Sequence, residues 1–308
     1  MSALDEHASG ESSSGAFDAR LAWLAARLAV LPDKPEETAD STLRALWLAA
    51  AGTPASAAAA LSLPLPALSA AQQQALDGLL ARRLDGVPLA HLTGRQRFMG
   101  LEMLAGPQAL IPRRETELLA RTAIDRVPAD ADTRVIDACT GSGNVAAAIA
   151  SARPLAVVHA SDLSDDAVAL ARLNLQFLNL QARVSLRAGD LLAPFDEPAF
   201  HGSVDLLSCN PPYISTPRRL AMAQEVAAHE PQLAFDGGAL GITLLQRLIA
   251  DAPRFLRPGG WLVFEVGAGQ GPAVARRLRA AGAYDQVDAL EDEQGEVRVL
   301  AARRGAAG

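Results

Sequence analysis

Asn210, Pro211, Pro212 and Tyr213 stand in a row, in "SCNPPYIS", just after the apolar residues Val204, Leu206 and Leu207. Neither proline can continue a strand, because each lacks an N–H and has a fixed φ. The four residues therefore gather an amide, two rigid carbonyls and an aromatic ring in one small patch. The side-chain oxygen of Asn210 and the carbonyl of Pro211 are acceptors at fixed spacing, which suits the two hydrogens of a planar –NH2 group. The nitrogen of an amide or aromatic amine is a poor nucleophile because its lone pair is delocalised, the same effect that keeps the peptide bond planar. Gripping its hydrogens orients and polarises it, and the gain grows as the nitrogen turns positive. Tyr213 can stack on the amide plane, and its ring face favours positive charge. A proline stop with an incidental tyrosine accounts for the two prolines but not for all four residues.

A second cluster lies upstream, in "VIDACTGSGNVAAAIA", which reads as strand, glycine turn and helix. Gly141 and Gly143 let the backbone approach a ligand and present N–H groups at the helix start. Residues 141–146 fit the G-x-G-x-x-G/A dinucleotide pattern. Asp162, ending the next strand in "VVHASDLS", is the acidic residue that would hold two ribose hydroxyls. Two cofactors suit such a turn, NAD(P) and S-adenosyl-L-methionine. Asp137 favours the second, since a carboxylate beside the glycines repels a pyrophosphate but accepts hydrogen bonds from an ammonium group.

These clusters need a scaffold. From residue 134 the rhythm is strand, turn, helix, with candidate strands at 134–139, 156–161, 182–187, 204–209, 261–266, 285–290 and 297–301. Alternation of this kind predicts an α/β fold, a doubly wound, Rossmann-like, seven-stranded sheet with its ligand crevice at the carboxyl ends of the strands. The strand before Asn210, the fourth, then lies beside the first and sets Asn210 next to the glycine turn. Upstream, the composition predicts a disordered tail over 1–16, a helical domain over 17–95, a β-hairpin linker over 96–115 and a further domain over 116–308 that holds both clusters.

The chain has 308 residues, half of them hydrophobic, and a formal net charge of −7. That balance argues against non-specific nucleic-acid binding, which rests on clustered Lys and Arg. The two cysteines, Cys139 and Cys209, form no CxxC or Cys/His cluster, so neither a zinc site nor a disulfide framework is expected. A polar, acidic start and the lack of a long apolar run predict a cytoplasmic protein with no secretory signal and no membrane span.

With these residues the chain resembles the HemK-type family of protein-glutamine N5-methyltransferases, which modify peptide-chain release factors. The likeness also rests on "PLAHLTGRQRF", "ALIPRRETELL", "DACTGSGNVAAAIA", "HEPQLAFDGGALGITLLQRLI" and "LRPGGWLVFEVGAGQ", in matching order from about Pro88 onward. It implies a class I S-adenosyl-L-methionine-dependent enzyme whose Cys139, Thr140, Gly141, Ser142 and Gly143 line the methionine part of the cofactor. It places Asp162 on the ribose and Leu191 near the adenine; Asp190, just before it, reads either as a cofactor contact or as a turn carboxylate. Asn210, Pro211, Pro212 and Tyr213 would receive a glutamine from a Gly-Gly-Gln motif, with Phe98 walling the site. The implied partner is a protein, a release factor first of all, met by a monomer. Cys139 and Arg114 depart from the release-factor pattern, and "CTGSG" is closer to a ribosomal-protein branch of the family. A DNA adenine N6-methyltransferase would want the same acceptors, but the chain lacks a separate basic target-recognition region.

Overall fold

A computed structural model describes residues 4–212, 230–231 and 242–306. The chain divides into two compact units, residues 1–97 and 98–308.

The first unit is helical: α1 (Leu4–Ala25), α2 (Ala39–Ala50), α3 (Ala57–Ala60), α4 (Ala70–Leu84) and α5 (Leu89–Thr93). Hydroxyl side chains of Thr38, Ser56 and Ser69 cap α2, α3 and α4, and Ser69 with Gln72 makes a full capping box. Leu24, Leu43, Leu46, Trp47, Leu76 and Leu80 fill its core. The buried pair Glu37–Arg83, at 2.8 Å, ties the approach to α2 to the end of α4. The chain is already helical at Leu4, where composition alone predicts a disordered tail over 1–16. No proline precedes Pro32, so the helix carrying Phe17, Leu21 and Leu24 can extend backwards through the Ser- and Glu-rich residues.

A short hairpin, β1 (Arg95–Phe98) and β2 (Leu101–Leu104), follows, then α6 (Thr116–Arg126). The rest alternates: β3 (Thr133–Ala138), α7 (Asn144–Ala152), β4 (Ala156–Asp162), α8 (Asp165–Phe177), β5 (Val184–Ala188), β6 (Val204–Cys209), α9 (Thr243–Phe255), β7 (Leu256–Glu265), α10 (Gly271–Ala280), β8 (Tyr284–Glu291) and β9 (Val297–Arg304). These make one seven-stranded sheet in the order β5-β4-β3-β6-β7-β9-β8. Strands β3 to β7 run parallel, while β9 is antiparallel to both β7 and β8.

Successive residues of each central strand point to opposite faces. Val135, Leu206, Val263 and Val299 enter the core that holds α6 and α7. Ile136, Leu207, Leu262 and Leu300 enter the core that holds α9 and α10. Both faces are covered, which is why the strands read as apolar runs. Strand β7 begins at Leu256, five residues before the expected start, because Pro258-Gly259-Gly260 is absorbed as an irregularity in the β6–β7 register instead of ending the strand. Among the described residues no helix is long and apolar enough to cross a membrane.

Candidate active site

The strand order reverses direction between β3 and β6, and the crevice opens at their carboxyl ends. Asp137 lies on β3 opposite Ser208 of β6 in the sheet register. Its carboxylate accepts hydrogen bonds from Ser208 Oγ at 2.7 Å and from Thr140 Oγ1 at 2.6 Å. Burial pushes the Asp137 carboxyl up to about 6, against the pull of those hydroxyls.

The glycine turn is built from left-handed backbone. Cys139, Gly141 and Gly143 have φ of 56°, 55° and 81°. A Cβ on Gly141 would meet nothing within 4 Å, whereas one on Gly143 would come within 3.2 Å of Ala171 Cβ on α8. The turn is thus open on the crevice side and tight against the next helix. Gly141 N–H donates to Asp162 Oδ2 at 2.8 Å, and Ser164 N–H donates to Asp162 Oδ1 at 2.9 Å. Burial raises the Asp162 carboxyl too, with those N–H bonds opposing it. Asn174, fully buried on α8, donates to the Ser142 carbonyl at 3.0 Å and bonds the Leu104 backbone.

Leu191 also has a positive φ, 47°, and its carbonyl accepts from Ser161 Oγ. Asp190 forms an exposed ion pair with Arg247 at 2.7 Å. Asp137, Cys139, Thr140, Gly141, Ser142, Asp162, Asp190, Leu191, Asn210 and Pro212 all border the crevice. Pro211 is buried and is not among the bordering residues. Tyr213 lies outside the described residues. Asn210 Nδ2 donates to Thr116 Oγ1 at 3.2 Å.

One other expectation is corrected. Phe98 does not wall the crevice: it is 1% exposed, packed with Met103 and Leu119 in the core below α6, because the hairpin turns that ring inward. Three arginines flanking the hairpin are paired with acids. Arg83 is buried against Glu37, and Arg113 against Glu230, while Arg114 pairs with Glu293 at the surface. Glu230 also accepts from Ile111 N–H at 3.0 Å, so it fixes the crevice wall formed by residues 108–113. Cys139 packs against the core cluster that holds Cys209, and burial together with the Cys139 thiol drives the Cys209 thiol far above its ordinary range.

Two family models match the chain, a methyltransferase small domain over residues 115–244 and the PrmC N-terminal domain over residues 21–94. The release factor glutamine methyltransferase of Moorella thermoacetica is 40% identical over 240 residues, covering 78% of this chain and 81% of that one. The chain belongs to the release factor glutamine methyltransferase family. The member from Cereibacter sphaeroides is 37% identical over 272 residues, 88% of this chain and 93% of its own. The catalytic domain of hMettl16, 16% identical with a TM-score of 0.53, covers 75% of this chain and 82% of that one and shares the fold. Both the glycine turn and the Asn-Pro-Pro segment of this methyltransferase fall within the matched catalytic region.

Proposed function

We propose that the crevice binds S-adenosyl-L-methionine and that the enzyme methylates the side-chain nitrogen of a glutamine, the one in the Gly-Gly-Gln motif of a peptide-chain release factor. The charged side chains bordering the crevice support this choice of cofactor. They are Asp137, Asp162, Asp190 and Arg113, and Arg113 is engaged by Glu230. Asp190 is likewise paired, with Arg247, so among the described residues the wall keeps the Asp137 and Asp162 carboxylates, which suit a cationic ligand and oppose a pyrophosphate. Asp137 would hold the ammonium group, the turn at Cys139–Gly143 the methionine backbone, Asp162 the ribose and Leu191 the adenine. When bound, the cofactor supplies an electrophilic methyl carbon on a sulfonium.

The chain's own part is orientation. Asn210 Oδ1 and the Pro211 carbonyl would accept the two amide hydrogens of the glutamine, and Tyr213, outside the described residues, is the ring that would stack on its plane. The nitrogen lone pair is thereby turned toward the methyl carbon. The acceptors strengthen as the nitrogen becomes positive, and its proton leaves to water after attack, so no strong general base is required. The protein works as a monomer in the cytoplasm, without nucleic acid.

The observation that supports this reading is that Asn210, one residue beyond the end of β6, borders the same crevice as Asp137, whose register partner on β6 is Ser208. Incubation with tritiated cofactor and, in separate reactions, a release factor, ribosomal proteins and duplex DNA, with counting of each and mass spectrometry of the tryptic peptides, tests it. One added methyl on the release-factor glutamine is expected, and Asn210→Ala is expected to slow it by roughly 100-fold or more. Label in ribosomal protein or duplex DNA, with none in the release factor, would overturn the substrate.

A further inference from the structure

A carboxamide can grip another –NH2 group only if its oxygen faces that group. Rotated by half a turn, Asn210 would present hydrogens to hydrogens. The Pro211-Pro212 backbone fixes where Asn210 sits but leaves this rotation free.

In the observed rotamer Thr116 meets the amide nitrogen. It opens α6 and is 2% exposed, and its hydroxyl oxygen accepts from Asn210 Nδ2 at 3.2 Å across 94 residues of sequence. Both residues border the crevice. The hydroxyl is itself well held. Leu119, Ala120 and Ala123 seat α6 in the core. Glu230 pins the lead-in through Ile111 N–H and the Arg113 guanidinium.

We propose that Thr116 is a positioning residue for methyl transfer, binding the Asn210 amide nitrogen so that the amide oxygen is presented to the substrate. This rests on the reading of Asn210 as the acceptor for the glutamine amide. Thr116 touches neither reacting atom and acts through Asn210 alone. The hydroxyl is what matters, not the shape of the side chain.

The test uses the full chain, with Thr116→Val, which keeps the volume and removes the hydroxyl, and Thr116→Ser, which keeps the hydroxyl. Initial rates are measured on a Gly-Gly-Gln release factor, S-adenosylhomocysteine binding by calorimetry, and melting temperature by scanning fluorimetry. T116V is expected to lower kcat by about 10- to 100-fold, with cofactor affinity and melting temperature little changed, and T116S to recover most of the loss. T116V added to Asn210→Ala is expected to cost nothing further, since the two act through one group. Wild-type kcat in T116V overturns the proposal, as does an equal loss in T116S or a fall in cofactor affinity matching the fall in rate. Undiminished turnover by Asn210→Ala overturns the parent reading, and this one with it; undiminished turnover by T116V alone overturns only this one.

Discussion

Asp137 is a carboxyl that burial pushes up to about 6, and the sign of its pH effects follows. An unfolded aspartate titrates near ~3.9, so the folded chain without ligand holds this proton more tightly. The stability it contributes is full below about pH 4 and is lost as pH rises to about 6. A ligand ammonium beside it reverses the preference, because it favours the carboxylate. S-Adenosylhomocysteine should therefore bind more tightly as pH rises through about 6 and level off above, by up to about tenfold per unit on the steep part. Titration calorimetry checks this, and Asp137→Asn should flatten the curve and weaken binding at neutral pH. Asp162, also raised by burial, should leave a residual slope. At this scale the sequence was informative where the chemistry is local. Asp137, Gly141 and Asp162 stand in short motifs that name a ligand class. Thr116 and Glu230 do not: their partners are 94 and 119 residues away, and no spacing along the chain records such a meeting. Phe98 was misread because a hairpin ring has two faces to choose from, and burial in the core decided it.

The turn between β3 and α7 has one position that admits glycine alone. Gly143 combines φ of 81° with a Cβ site 3.2 Å from Ala171. Gly143→Ala should cost about 1–2 kcal/mol for the left-handed backbone, with added strain from pushing α7 off α8. Thermal melting should fall by several degrees, and cofactor affinity should fall with it because the N–H groups of the turn move. The segment leading into α6 makes a parallel case. Glu230→Ala would leave the Arg113 guanidinium, 10% exposed, without its buried carboxylate, a loss of about 3 kcal/mol in such settings. Melting temperature and kcat should both drop, since the crevice wall and Thr116 share that support. The strands themselves were legible to within two residues at each end, apart from the start of β7 and the end of β9, which runs to Arg304, three residues past the expected 301. The start of β7 was hidden by Pro258-Gly259-Gly260, which reads as a turn but is bridged by register slippage against β6.

The whole molecule has two separately cored units, and the roles proposed for them can be told apart. The first unit has its own buried ion pair, Glu37–Arg83. If it docks the protein substrate, Glu37→Ala should raise KM for an intact release factor while leaving turnover of a short Gly-Gly-Gln peptide and the binding of S-adenosylhomocysteine unchanged. Steady-state kinetics on the two substrates side by side check this. Helices in this unit were visible as apolar spacing broken by prolines, whereas docking is a role expected of it from the likeness to enzymes that act on proteins and not from any residue pattern.

Strand β9 is wedged between β7 and β8, although both precede it in sequence. During synthesis, then, a nascent chain that has exported everything up to residue 291 still carries a sheet with a slot in it, two unsatisfied rows of backbone groups facing each other across a missing strand. Such edges invite pairing with foreign strands. A polypeptide cut short before residue 297 should be sticky and poorly folded, even though it retains Asp137, Asp162 and Asn210, and the cell must finish the last stretch of translation before this catalyst can exist.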